Sequence, residues 1–263
     1  MSKSLGLVLG SGGARGVAHV GFLQALEESG IKPDYITGCS MGAVVGGCYA
    51  SGMPIEEMRD IILNLKKRDL IDLSPAPISK MSLLRSKKIR ELLVAHIKIK
   101  NIEDFPTPFK CVATDVLSGK LHVFENGEAA KAIQASSSIP GVFRPVKHGK
   151  ELLVDGGCLC RVPIKQVKDM GADVVVAVDV LTNCSQPVEK LENIVALLLR
   201  VFDVMDANGT ALAKEKYADI CDLYLEPEMK GMSQYYIKDL DFAFEEGYAL
   251  GKTNAEKIKE LLR

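Results

Sequence analysis

A serine sits between two glycines in Gly38-Cys39-Ser40-Met41-Gly42, where a short strand signal, Asp34 to Thr37, gives way to a helical pattern. Residues of these types at this spacing suit a nucleophile elbow. At so sharp a strand-to-helix turn the hydroxyl is exposed, the backbone N–H is directed at a reacting carbonyl, and the dipole of the next helix lies beneath the attacking oxygen. Gly38 and Gly42 remove side chains that would collide in the bend. The residues that follow, Ala43, Gly46, Gly47 and Ala50, recur at helical spacing and form one small-residue face. Two glycines inside a helix cost roughly 1 kcal/mol each relative to alanine, and close backbone approach to a neighbour is their physical reason. The elbow helix is expected to be buried.

An acyl-transfer nucleophile also needs donors for the developing oxyanion. Directly after the apolar run Leu5 to Leu9 comes Gly10-Ser11-Gly12-Gly13-Ala14-Arg15-Gly16, whose crowded glycines expose successive N–H groups at the start of a helix. One reading is a nucleotide phosphate cradle. The spacing, however, is G-x-G-x-x-x-G rather than the dinucleotide G-x-G-x-x-G, and no Lys-Ser or Lys-Thr pair follows as in a P-loop. The preferred reading is an oxyanion hole formed by Gly12 and Gly13 N–H groups beside Ser40. Arg15 either holds this loop or adds positive potential near an anionic head group.

The base is less obvious. The chain has four histidines, and none suits the order serine, acid, histidine of an α/β-hydrolase triad well. His19 falls in the first helix, His96 in a basic amphipathic segment and His122 near a strand start. Only His148, after an acid such as Asp115, keeps that order open. Asp155 is the better candidate: it ends the apolar strand Leu152-Leu153-Val154, and Gly156 and Gly157 let its oxygens approach another loop closely. An Asp-Gly-Gly that merely closes a turn is the competing explanation.

The elements that must position these groups alternate. Strands at Leu5 to Leu9, Asp34 to Thr37, Phe109 to Thr114, Leu152 to Val154 and Val174 to Val178 are interleaved with helices at Val17 to Ser29, Met41 to Ala50, Ile164 to Met170, Val188 to Ala213 and Phe242 to Leu262. That order predicts an α/β domain with a largely parallel, buried sheet and site residues at the carboxyl ends of its strands. At 263 residues and 47% hydrophobic, the chain is read as a single domain spanning residues 1–263. Residues 52–104 read as helical, a basic amphipathic insertion or cap with Lys80, Arg85, Lys87, Lys88, Arg90, Lys98 and Lys100 against Glu91. A solvated covering face is the first reading of that segment; a lid resting on an anionic membrane is the second.

Composition narrows the function classes. A net charge of −1 argues against a protein organised around nucleic acid. The seven cysteines and the lack of a secretory leader point to reduced thiols in a soluble, cytoplasmic chain. Cys158 and Cys160 form a C-x-C pair with no second pair or nearby histidine to complete a zinc site. No metal is expected.

Together, Ser11-Gly12-Gly13-Ala14-Arg15-Gly16, Gly38-Cys39-Ser40-Met41-Gly42 and Asp155-Gly156-Gly157 resemble the three ordered motifs of patatin-like phospholipases. The stretch Ala135 to Pro145 is similar to the family's loop before the aspartate strand. The resemblance implies a three-layer αβα fold of the malonyl-transacylase and lysophospholipase kind, with Ser40 as nucleophile, Asp155 as proton acceptor and Gly12 with Gly13 as the oxyanion loop. It implies hydrolysis of phospholipid or lysophospholipid esters, with a lipid ester as partner; no cofactor is expected, and the basic segment gives peripheral membrane contact as a second localisation. Ser11 stands where the family usually has glycine. The competing function is a catalytically weak regulatory or lipid-binding protein on the same fold, with a nucleotide-binding protein third. Ser136 to Ser138 are read as loop packing, and Leu83, Leu84, Val142 and Phe143 as candidate lining of an acyl channel.

Overall fold

Strands with apolar residues at every position need cover on both faces, and the central strands here receive it. The computed structural model describes residues 3–64, 82–84, 87–181 and 190–263. In chain order its elements are β1 (Leu5–Leu9), α1 (Ala18–Glu28), β2 (Tyr35–Cys39), α2 (Met41–Ala50), α3 (Ile55–Leu63), β3 (Ser82–Leu84), α4 (Lys87–His96), β4 (Phe109–Asp115) and β5 (Lys120–Phe124). They continue with α5 (Ala129–Ser136), β6 (Gly141–Phe143), β7 (Val146–His148), β8 (Glu151–Asp155), α6 (Ile164–Lys168), β9 (Val174–Val178), α7 (Ile194–Lys216), β10 (Leu223–Leu225) and α8 (Leu240–Leu262).

The main sheet runs β10-β9-β1-β2-β4-β8-β7, with β5 also on β4. The five strands from β10 to β4 are parallel; β5, β7 and β8 form an antiparallel extension. Alternation along the strands separates the two cores. Leu5, Leu7, Leu9, Val174, Val176 and Val178 face the larger one, with α1, α2, α5 and α8. Val8, Val175 and Ala177 face Ile164 and Val167 of α6. The result is a three-layer αβα domain with a mostly parallel sheet.

Three expectations change. First, β8 does not join the parallel set, so only β1 and β2 deliver site residues from the carboxyl edge of parallel strands. Second, residues 52–104 are not helical throughout, because β3 pairs in parallel with β6, Ser82 opposite Gly141 and Leu84 opposite Phe143. Leu93 of α4 and Ile97 just beyond it are buried in the larger core, so α4 packs onto the sheet domain. Lys80, Met81 and Arg85 of the basic segment lie outside the described residues. Third, the late helix begins at Ile194 rather than Val188, because Asn193 accepts a hydrogen bond from Ala196 N–H and caps it. Residues 188 and 189 also lie outside the described residues.

Candidate active site

Register brings the two key turns together. Cys39 of β2 lies opposite Val112 of β4, and Asp155 of β8 lies opposite the next residue, Ala113. Since β5 pairs with β4 along Cys111 to Asp115, β2 and β8 must share the remaining edge of β4. They approach along it head-on. The chain leaves the edge at Ser40, and β8 ends facing that exit.

At the meeting point Ser40 Oγ donates to Asp155 Oδ2 at 2.6 Å. Both residues are buried. Ser40 holds φ 53°, a left-handed conformation uncommon for a residue with a side chain. It occupies the N-cap position of α2, yet its hydroxyl makes no cap bond, which leaves the oxygen to Asp155. The strain is held in place by close packing. A Cβ on Gly42 would come within 2.1 Å of the Leu9 carbonyl oxygen, so only glycine lets the elbow helix sit on the end of β1.

The Ser40 N–H departs from expectation. It donates to Ser136 Oγ at 3.0 Å, so it is occupied by the protein rather than aimed at a reacting carbonyl. Ser138, two residues on, accepts the Asp155 N–H at its carbonyl at 2.9 Å. The segment from Ser136 to Ser138 therefore fastens both turns, a larger role than packing.

Asp155 spreads its hydrogen bonds over two oxygens. Oδ1 accepts from Gly157 N–H at 2.8 Å, with buried Cys39 Sγ at 3.9 Å, and Oδ2 accepts from Ser40. Burial pushes the carboxyl up to about 6, against the downward pull of the bonds from Ser40, Gly157 and Cys39. A carboxyl of that basicity is partly protonated in mildly acidic solution and ionised at neutral pH. The pair can pass a proton from hydroxyl to carboxylate when the oxygen attacks an electrophile.

The glycine loop lies against the same turns. A Cβ on Gly157 would stand 3.7 Å from Ser11 Oγ, and one on Gly16 would strike Met41 at 2.3 Å. Several loop N–H groups are already engaged: Ser11 with the Arg161 carbonyl, Ala14 with the Gln234 carbonyl, and Arg15 with the Gly12 carbonyl. Among the described residues, Gly12 and Gly13 N–H have no such acceptor. Gly13 has φ +50°, and a Cβ there would come within 2.2 Å of the Gln234 oxygen. Two adjacent unengaged donors at a helix start can receive an oxyanion.

Arg15 resolves toward holding the loop. It is buried, and its Nε donates to the Met232 carbonyl at 2.6 Å. His19 has a similar task, its Nε2 bonding the Gly10 carbonyl at 2.8 Å. Burial lowers its pKa to about 4, and the neutral ring serves as a donor to the loop backbone. Among the described residues no histidine hydrogen-bonds Ser40 or Asp155: His96 faces Glu57 and His122 pairs with Glu151. Asp115, the acid that a His148 triad would need, accepts from Leu117, Ser118 and Leu152 and closes the β4–β5 turn.

A buried ionic cluster backs the Asp155 turn. Arg161 donates to Asp179 at 2.7 Å and to Asp206 of α7 at 3.0 Å, while Tyr224 O–H reaches Asp179 at 2.8 Å. Burial pushes Asp206 up to about 7, against the pull of Arg161. Because the Arg161 carbonyl also takes the Ser11 N–H, one residue ties β9, α7 and the glycine loop together. Nothing in the local sequence around Arg161, Ser136 or His19 marks these roles, since every partner is distant along the chain.

Residues 7–168 match the model of the family described as patatin-like phospholipase. An uncharacterized NTE family protein of Mycobacterium tuberculosis is 41% identical over 177 residues, covering 67% of this chain and 49% of that protein. Lysophospholipase NTE1 of Debaryomyces hansenii is 30% identical over 287 residues, 98% of this chain and 18% of that protein. The chain thus spans about half the length of its mycobacterial relatives. Among solved structures, VipD from Legionella pneumophila superposes with a TM-score of 0.59 at 16% identity, covering 97% of this chain and 67% of that one, a likeness of fold.

Proposed function

The chain belongs to the patatin-like phospholipase family, and we propose that it is a serine lipid acyl hydrolase that cleaves carboxylic esters of phospholipids or lysophospholipids. The observation that carries this reading is the 2.6 Å hydrogen bond from Ser40 Oγ to Asp155 Oδ2, with no imidazole bonded to either group among the described residues. Ser40 attacks the ester carbonyl while Asp155 takes its proton, and Gly12 and Gly13 N–H groups receive the negative charge on the carbonyl oxygen. Collapse expels the alcohol of the lipid, which takes the proton back, and leaves an acyl-serine. Water then attacks that ester, again giving its proton to Asp155, and the fatty acid departs as Ser40 is restored.

The raised Asp155 carboxyl, at about 6, gives a base of moderate strength, suited to alkoxide leaving groups rather than to amines. Residues 1–263 act in this proposal as one catalytic unit, with α3 and α4 packed against the larger core. The test is release of free fatty acid from a panel of lysophospholipids, phospholipids and short-chain esters. Wild type is expected to turn over at least one lipid ester, and Ser40→Ala to retain the fold while turnover drops about 10⁴-fold or more. A Ser40→Ala enzyme with wild-type turnover would contradict the reading.

A further inference from the structure

Helix α7 works on two faces. Its inner face is fixed to both loops of the candidate site. A Cβ on Gly157 would stand 3.6 Å from the Phe202 ring, which places Phe202 against the turn after Asp155. Asp206 holds Arg161, and Asp203 accepts from Tyr235 O–H and from Gln234 Nε2. The Gln234 carbonyl in turn takes the Ala14 N–H of the glycine loop.

Among the described residues the outer face has no such partners. Ile194, Leu198, Met205 and Leu212 are 64%, 61%, 69% and 68% exposed, and Leu197, Val201 and Val204 are exposed with them. At 3.6 residues per turn all seven fall within an arc of about 120°. Every exposed residue from Ile194 to Leu212 is uncharged; the helix's own acids in that span, Asp203 and Asp206, turn inward. Among the exposed residues charge appears only at the ends, Lys190 with Glu192 before the stripe, and Lys214 and Lys216 with Glu215 after it, while half-buried Arg200 lies at the stripe's margin. A contiguous exposed apolar face of this kind marks an interaction surface. No helix among the described residues is long and apolar enough to cross a membrane.

We propose that the outer face of α7 docks the chain on a phospholipid bilayer, with the helix lying in the interface plane and the Ser40 and Asp155 turns beneath it. The inference rests on the lipid-ester reading above, because a substrate held in a bilayer must pass from that surface to Ser40. Two observations favour lipid over a second copy of the chain. The charge-free stripe fits an acyl layer, and its mixed-sign ends fit zwitterionic head groups, which carry both an anionic phosphate and a cationic amine. Met205 and Leu212 also line a cavity of about 310 Å³ whose wall includes Gly157, so the docking face opens toward the turn that carries Asp155. A second copy packed there would close that opening.

The experiment is flotation with phosphatidylcholine vesicles, run beside sedimentation velocity and hydrolysis of a water-soluble short-chain ester. Wild type is expected to float. Ile194→Glu with Leu198→Glu, both outside the cavity wall, should weaken partitioning by at least about tenfold and lower hydrolysis of vesicle-borne lipid in parallel, with short-ester turnover within about twofold of wild type. A second pair, Leu197→Glu with Val201→Glu, should behave alike and guards against misfolding of the first. Wild type that does not float, or double variants that float equally, would overturn the proposal; a wild-type dimer split by these changes, without vesicle binding, would assign the face to a second copy. Flotation lost in the variants of a chain that cleaves no ester would keep the docking face and remove the ester chemistry.

Discussion

The turn at Ser40 and the turn at Asp155 meet at 2.6 Å but are built differently. The Ser40 turn is largely made by its own neighbours: Gly42 allows the close approach to β1, and α2 begins at once. The Asp155 turn is held from a distance. Its strand borrows the free upper edge of β4, its N–H goes to Ser138, and Arg161 behind it is clamped by Asp179 and by Asp206 of α7. One turn is therefore set mainly by local sterics, with Ser136 as its distant fastening, and the other mainly by tertiary contacts. The difference extends to electrostatics: the serine is strained in its backbone, whereas the aspartate is raised in its pKa by burial.

Substitutions can separate the two. The largest effect after loss of Ser40 itself is expected from Asp155→Asn, which keeps the shape of the turn and removes the proposed base. Ester turnover should fall by about 10³-fold or more with binding little changed, measured as kcat and KM separately. The pH profile comes next. In the proposed chemistry activity requires the ionised carboxylate, so kcat/KM should rise about tenfold per pH unit up to about 6 and level off above it.

The same group affects stability with a definite sign. Its folded pKa of about 6 lies above the ordinary 3.8, so the folded state binds this proton more tightly than the unfolded chain. The stability it contributes is full below the unfolded value and is lost as pH rises through the folded one. By that linkage wild type should lose on the order of 3 kcal/mol between about pH 4 and pH 7 through this group. Asp155→Asn should be the more stable protein at pH 8 in denaturant titrations, with the gap closing toward pH 4. A smaller effect tests the shared fastening. Ser136→Ala leaves the Ser40 N–H without its acceptor, which should cost about 1 kcal/mol, seen as a roughly fivefold loss in kcat. Equal loss from removing a surface serine such as Ser118 would deny Ser136 any special part.

The contrast between the turns also explains what the sequence discloses. Gly38, Gly42, Gly156 and Gly157 are legible because steric relief is a short-range requirement that residue type and spacing record. The parallel strands are legible because double-sided burial makes Val174 to Val178 wholly apolar. Strand direction leaves no such mark: Glu151 to Asp155 has the same composition whether it runs with β4 or against it. Ser82 to Leu84 becomes a strand only because Gly141 to Phe143 offers it an edge. His19, Ser136 and Arg161 were invisible as site residues for the same reason, their partners lying nine, 96 and up to 45 residues away. The outer face of α7 was half legible. Its period marks a helix, but which side meets the protein is settled by Phe202, Asp203 and Asp206 touching elements elsewhere in the chain.

In the proposed chemistry Asp155 draws the proton from Ser40 without help from an imidazole. The most direct measurement is the second-order rate of labelling by a fluorophosphonate, with the adduct located by mass spectrometry, in wild type and in Asp155→Asn at pH 8. The expected result is an adduct on Ser40 alone, formed about 10² or more times slower in the variant. Labelling of Ser40 at an unchanged rate in Asp155→Asn, or an adduct on another serine, would contradict it.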